Sequence, residues 1–337
     1  MGLFRARRVV GLVVLLVAGL VLGGLPFPAA SQQGTLIPEE LVIGMVPSRP
    51  ATILQPPVEG MAKLVLDYVQ KNGFPQVRRV RAVIPESYPA TIEALGAGRL
   101  HVGLLGPFQI VQVVDSYGSI PIAVTKRGER LTFRSQFMVH VDSPLKSFDD
   151  LVKHVKDGRP LKFSYGGSAT STSGFLFPCK KLKDLGILPG DYRNFKTIRA
   201  ANHLASAIAV YKKDVDVGVG FEDVREDLNS DRVKQELGWR PGDPNPSTRV
   251  GVIGYSDDIP NDGIVAIKEL DARLRETIKQ AFVALMKTDE GKKHGKDAVD
   301  ATDFVPVPEG YDMLKALQAV RVVANEIQPN LAKCENQ

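Results

Sequence analysis

Ser168-Ala-Thr-Ser-Thr-Ser-Gly174 places four hydroxyl side chains in a row, residues 170–173, between a strand-like stretch and a helix-like one. Leu161-Lys-Phe-Ser-Tyr165 reads as a strand, Gly166-Gly167 as a turn, and residues 175–185 as a helix. A helix start has N–H groups without intrahelical acceptors and carries a partial positive charge. Hydroxyls placed there donate to anionic oxygens without adding fixed charge, so the segment is a candidate oxyanion site. The plainer reading is a helix cap, because serine and threonine are ordinary caps. The segment alone leaves both readings open.

The same strand-then-helix order extends in both directions. Upstream, residues 41–46, 77–84, 100–105, 120–125 and 133–141 read as strands, and 58–71, 89–97 and 148–156 as helices. Downstream, residues 195–201, 215–219, 250–256 and 264–267 read as strands, and 203–213, 271–287 and 310–326 as helices. This alternation predicts an α/β fold with mostly parallel sheets covered by helices. Ligands of such sheets sit beyond the C-terminal ends of the strands. That rule selects the loops at 47–50, 86–88, 106–109, 168–174, 202–203 and 221–223.

The N-terminus has a different character. Arg5, Arg7 and Arg8 precede an apolar run over residues 9–25, and Pro26-Phe-Pro-Ala-Ala30-Ser31 follows. This is the pattern of a cleaved secretory signal peptide over residues 1–30, with a polar tether over 31–40; a retained membrane anchor is the alternative. Three of the net +5 charges belong to those arginines, leaving +2 for the rest. Basic and acidic residues are interspersed there, so no nucleic-acid partner is expected. About 305 residues remain, more than one average core holds, which predicts two lobes. Cys179 and Cys334 either pair, as an oxidising compartment allows, or remain a buried thiol and a free tail thiol.

His101, His140, His154, His203 and His294 show no metal-ligand spacing. A Walker loop and a Gly-x-Ser-x-Gly elbow are absent, and no cofactor is expected. Ser171 or Ser173 with His203 as base leaves a secreted serine hydrolase as the alternative from another class.

Tyr88-Pro-Ala-Thr-Ile-Glu-Ala-Leu-Gly-Ala-Gly98, Leu105-Gly-Pro-Phe108, Ser171-Thr-Ser-Gly-Phe-Leu-Phe-Pro178, Asn202-His203 and Val215-Asp-Val-Gly218 occur in that order. Over most of residues 41–330 the chain thereby resembles the periplasmic phosphonate, phosphite and phosphate-binding proteins of ABC importers. The Ser-Thr-Ser-Gly segment with its following aromatic and proline is the most specific mark. The resemblance implies a type II periplasmic binding protein, with two α/β lobes, a hinge and a central ligand cleft. The first lobe would comprise 41–134 and 253–337, the second 135–252, with hinge strands near 133–139 and 250–256.

It also implies a periplasmic monomer that captures a small phosphorus oxyanion by cleft closure and delivers it to a membrane permease with an ATPase subunit. Ser171, Thr172, Ser173 and His203 would grip the oxyanion, with Tyr88 and Phe108 as walls or donors. Asp262, Glu222 and Asp223 are candidate acceptors for a protonated ligand oxygen or an amine. Arg49, in the first selected loop, is a candidate fork for an oxyanion, though arginines in such loops are commonly solvated. Gly98-Arg-Leu-His101 stands where the family usually has Gly-x-Val-Asp, a departure expected to touch a strand start. Within binding proteins, a sulfonate carrier or an arsenic oxyanion sensor is the alternative.

Overall fold

The computed structural model describes residues 34–335, so the expected signal peptide over 1–30 lies outside the described residues. Thirteen strands are described: β1 Glu40–Met45, β2 Arg79–Val83, β3 Val102–Leu105, β4 Ile120–Lys126, β5 Thr132–Phe133, β6 Ser135–His140, β7 Leu161–Gly166, β8 Phe195–Ala200, β9 Val217–Phe221, β10 Val250–Tyr255, β11 Ile259–Pro260, β12 Gly263–Ala266 and β13 Asp303–Pro306. The α-helices are α1 Ala51–Lys71, α2 Tyr88–Gly96, α3 Pro107–Tyr117, α4 Phe148–Lys156, α5 Phe177–Asp184, α6 His203–Tyr211, α7 Asp231–Glu236, α8 Ala272–Leu285, α9 Asp289–Val299, α10 Met313–Ile327 and α11 Leu331–Cys334.

The strands form two main sheets. One runs β13-β4-β12-β3-β1-β2, the other β10-β6-β9-β7-β8, and β5 pairs with β11 between them in sequence. Strands followed by crossover helices are parallel, as in β1 with β2 and β3, and β7 with β8 and β9. Strands entered from the other sheet run the opposite way: β6 is antiparallel to β9, and β12 is antiparallel to both β3 and β4. The sheets are therefore mixed where alternation alone predicted mostly parallel pairing. A segment that arrives without its own crossover helix enters the sheet from the opposite end.

Both sheets are covered by amphipathic helices. In α1, Leu54, Val58, Met61, Val65 and Val69 recur at three- and four-residue spacing and are all buried. That helix begins seven residues before the expected start at 58, with Pro56 and Pro57 inside it. Burial of Leu54 and Val58 offsets the two intrahelical bonds the prolines cannot donate. Helix α9 and strand β13 were not anticipated. The first is rich in Lys, Asp and Gly with little apolar period, and the second is a four-residue edge strand ending in proline.

Residues 34–39 are held rather than free: Leu36 bridges to Leu270, and its amide donates to Glu269 O at 2.9 Å. The other terminus crosses over. Cys334 is disulfide-bonded to Cys179 on α5 with Cα atoms 5.7 Å apart, and the Tyr165 hydroxyl donates to Cys334 O at 2.9 Å. Lys183 pairs with Glu326 at 2.6 Å. The chain end therefore packs against the five-stranded half, which departs from assigning all of 253–337 to the first lobe. His101 Nδ1 accepts from Val42 N at 3.0 Å, so the departure at Gly98–His101 lies at a strand start, as expected.

Candidate functional site

The loops at the C-terminal ends of β1, β3, β7 and β9 converge on one cavity of about 40 Å³. A single water needs roughly 10–15 Å³, so the space suits a small ion and not an extended metabolite. It is lined by side chains from both halves, among them Arg49, Tyr88, Gln109, Arg127 and Asp262 from the six-stranded half, and Ser171, Thr172, Ser173 and His203 from the other.

The hydroxyl segment begins a short π-helical turn over Thr172–Leu176 that leads directly into α5. Ser171 is its cap: its Oγ accepts from Gly174 N at 3.1 Å. The plain capping role thus falls on Ser171 alone, while Thr172 and Ser173 stand at the first helical positions, whose amides have no intrahelical acceptor. Gly174 is required by close approach, because a Cβ there would overlap the Gly166 carbonyl at the end of β7. Gly167, at φ 117°, makes the preceding turn in the left-handed region that favours glycine.

Thr172 Oγ1 accepts from the Phe108 amide at 2.9 Å, which joins the first turn of α3 to the hydroxyl segment across the cavity. The Gln109 side-chain amide donates to the Thr170 carbonyl beside it. On α6, Asn202 caps the helix and His203 is the first residue, with its amide donating to Ser48 O at 3.3 Å. The His203 Nε2 shares a 3.1 Å hydrogen bond with the Tyr88 hydroxyl and lies 3.4 Å from Ser171 Oγ. Burial, then the nearby Arg49 and Arg127 charges, push the His203 pKa down to about 3, so the ring is neutral at physiological pH. The ring thus meets a ligand as a neutral donor. Its Nδ1 is buried without a partner among the described residues. An orphaned acceptor is tolerated more readily than an orphaned N–H, so the ring proton belongs on Nε2, facing Tyr88 and Ser171.

Among the described residues, four charged side chains line the cavity, and they cancel. Arg127 Nη2 donates to Asp262 Oδ2 at 2.9 Å and its guanidinium stacks on Phe133 at 4.5 Å. Arg49 Nη2 pairs with Asp300 at 2.8 Å. Burial raises the Asp300 pKa, but Arg49 and Arg127 outweigh it and hold the carboxyl well below the usual range. Burial keeps the Tyr88 phenol protonated, its pKa pushed well above the usual value.

Of the ten expected ligand residues, Ser171, Thr172, Ser173, His203, Tyr88, Asp262 and Arg49 are brought together around the cavity. Arg49 is buried and paired with acids, not solvated. Phe108, Glu222 and Asp223 do not line it. Adjacent helix positions point about 100° apart, so with Gln109 on the cavity side Phe108 packs its ring on the core and contributes only its amide. Glu222 is taken by Arg134 at 2.8 Å and Arg130 at 3.2 Å. Asp223 has a left-handed φ of 71° and lines a separate groove outside the cavity.

Gln109, Arg127 and Asp300 were missed. Gln109 lies in a selected loop, and a polar residue one position after Phe108 was its available signal. Arg127 follows the end of β4, a strand end to which the loop rule was not applied. Asp300 ends the unanticipated helix α9 and carried no signal.

A profile of the family described as ABC transporter, phosphonate, periplasmic substrate-binding protein matches residues 44–310. The chain belongs to that family. The fold agrees with solved structures at low identity. A binding-protein component of an ABC phosphonate transporter from Pseudomonas aeruginosa is 22% identical, with 89% of each chain covered and a TM-score of 0.70. PhnD1 from Prochlorococcus marinus, solved in complex with methylphosphonate, is 19% identical, with 86% of this chain and 98% of that one covered and a TM-score of 0.70. A Xanthomonas citri protein solved with chloride is 19% identical, with 87% and 100% covered and a TM-score of 0.65. The architecture is that of a type II periplasmic binding protein, and the family is a substrate-binding component of ABC transporters.

Proposed function

We propose that this phosphonate-family binding protein captures a small tetrahedral phosphorus oxyanion that bears no ammonium group, such as phosphite, methylphosphonate or phosphate. The observation that carries the reading is a charge-neutral cavity of about 40 Å³ whose wall holds the Ser171–Thr172–Ser173 hydroxyls. Thr172, already accepting from Phe108 N, keeps its own proton for a ligand oxygen. His203 Nε2 and the first amides of the hydroxyl turn add neutral donors. Neutral donors hold an anion without the charge pairing that slows release.

The exclusion of an amine follows from the acids. Asp262 is bonded by Arg127, and Asp300 by Arg49 and Lys296, so each cavity carboxylate already has a cation. An incoming ammonium would share a carboxylate with a guanidinium at close range, and like charges repel. Asp262, bonded to Arg127 through Oδ2, retains an oxygen to accept from a ligand P–OH.

Closure is the working step. The two sheet-centred halves act as lobes. The strands expected as hinge, 133–139 and 250–256, fall mostly within the five-stranded sheet as β6 and β10, so the hinge is assigned instead to the connecting segments that carry the β5–β11 pair, and a ligand touching both sides stabilises the closed form. The N-terminal 30 residues serve as a cleaved export signal, and the bound anion passes to an inner-membrane permease driven by an ATPase. A serine hydrolase is disfavoured, because among the described residues no carboxylate bonds the buried His203 Nδ1 to orient the ring as a base.

Calorimetry with phosphate, phosphite, methylphosphonate, 2-aminoethylphosphonate and a sulfonate tests the reading. At least one of the first three should bind more tightly than about 100 µM, near −5.5 kcal/mol. Failure of all three, or preference for the sulfonate, overturns it.

A further inference from the structure

Arg49 was expected to solvate or to fork onto the ligand, and the structure gives it another task. Its Nε donates to Asp227 Oδ2 at 2.6 Å and its Nη2 to Asp227 Oδ1 at 3.3 Å. The same Nη2 reaches Asp300 Oδ2 at 2.8 Å, and Nη1 donates to Ala298 O at 3.2 Å. The guanidinium also lies over the Phe221 ring, 4.7 Å from its centroid. Arg49 follows β1, and Ala298 and Asp300 end α9, all in the six-stranded half. Phe221 ends β9, and Asp227 lies on the Val224–Asn229 turn, both in the five-stranded half.

We infer that Arg49 and Asp227 form a clasp that holds the closed cleft with or without ligand, and that Asp227 sets ligand residence although it does not touch the cavity. Asp300 and the Ala298 carbonyl fix the guanidinium on its own half. Asp227 then supplies a bidentate seat on the other half, and such a fork-to-carboxylate pair is geometrically selective. The clasp is coupled to the binding site through Phe221, whose ring meets His203 edge-on at 5.1 Å. Opening the cleft must break the Asp227 pair, strip Arg49 from Phe221 and break the Phe108–Thr172 bond.

The magnitude is bounded by water. The Arg49 side chain is 6% exposed, but Asp227 is 25% exposed and borders an open groove. Part of the ion pair is therefore screened, and its loss should change populations by about tenfold, not by thousands. Weakening the clasp speeds reopening of the bound form, so the off-rate rises, and it leaves the ligand-free cleft open more often, so the on-rate does not fall.

The inference rests on cleft closure but not on the identity of the anion. Asp227→Asn is the decisive variant, since Arg49 keeps Asp300 and no buried charge is stranded. Small-angle scattering of the ligand-free proteins comes first. The wild type should have a radius of gyration near that of a closed form, and Asp227→Asn a larger one, with Asp227→Glu restoring compactness. Stopped-flow with methylphosphonate should then show an off-rate about tenfold faster in Asp227→Asn, with the on-rate equal or higher. Identical scattering and identical off-rates in wild type and Asp227→Asn overturn the clasp. If methylphosphonate does not bind, the ligand reading suffers, while the ligand-free scattering still decides the clasp.

Discussion

Thr172→Val separates the hydroxyl segment's role in binding from its role in folding. Valine keeps the β-branched shape in a position only 3% exposed, so packing changes little. Two interactions are lost. The hydroxyl can no longer donate to the ligand, and a hydrogen bond to a charged group contributes about 1.5–3 kcal/mol. The Phe108 amide, 2.9 Å from Oγ1, loses its acceptor in the closed cleft, which costs about 1–3 kcal/mol more; the ligand-free variant escapes this by opening the cleft to water, so the cost falls on the liganded closed form. The terms overlap, so a net loss of about 3–4 kcal/mol is the fair expectation, or an affinity lower by two to three powers of ten. The Gly174 cap belongs to Ser171, so the turn itself stays capped. Isothermal titration with the best ligand of the panel gives the affinity, and differential scanning fluorimetry gives the ligand-free melting temperature. The expected pair of results is a Kd raised by at least a hundredfold and a melting temperature within about 2 °C of wild type, roughly 1 kcal/mol or less. An affinity within threefold of wild type would refute the assignment of Thr172 to the ligand. A large stability loss with normal affinity would make the whole segment a structural cap.

Arg127→Gln should raise affinity for 2-aminoethylphosphonate relative to methylphosphonate by tenfold or more in calorimetry, because Asp262 loses its guanidinium; an unchanged ratio removes the amine-exclusion argument. His203 gives a pH signature. Its folded pKa, about 3, lies below the ordinary 6.5, so below pH 6.5 the unfolded chain takes up a proton that the folded one refuses. Stability should therefore fall as pH drops from 6.5 toward 3, by about 2 kcal/mol at pH 5. His203→Asn should lose that part of the slope in parallel denaturant titrations at pH 7 and pH 5, and an equal slope in both proteins counts against a buried neutral ring. Replacing Cys179 and Cys334 by alanine opens a covalent loop of sequence separation 155, for which the chain-entropy treatment gives about 5 kcal/mol. A melting-temperature loss of roughly 10 °C is expected, matched by reduction of the wild type with dithiothreitol, and no loss would show that the chain end contributes little to the fold.

The repeated strand-and-helix pattern was legible because burial imposes period 2 or 3.6 on any segment that packs on one face. It sufficed for the α/β architecture, and with the strand-end rule it selected loops that do border the cavity. Where packing leaves no such imprint, reading failed. Helix α9 is charged and glycine-containing, β13 is a four-residue edge strand, and the antiparallel entry of β6 and β12 depends on where the chain returns from. Serine and threonine before a glycine announced a helix start, but could not say which hydroxyl caps. That depended on Ser171 reaching Gly174 N while Thr172 faced Phe108 N from a distant loop.

The local chemistry was already written along the chain: a hydroxyl-rich helix start after a buried strand, a histidine opening the next helix, and a Gly-Pro turn carrying an aromatic. These are set by residues adjacent along the chain, where propensity and spacing act. The electrostatics came only with folding. Arg49 reaches Asp227 and Asp300, Arg127 reaches Asp262, and Arg130 and Arg134 take Glu222, all between residues far apart in sequence. A charged side chain near a cavity is a ligand group, a clasp or a neutralised wall according to its partner. Partner choice is fixed by burial, where an unpaired charge is too costly to survive.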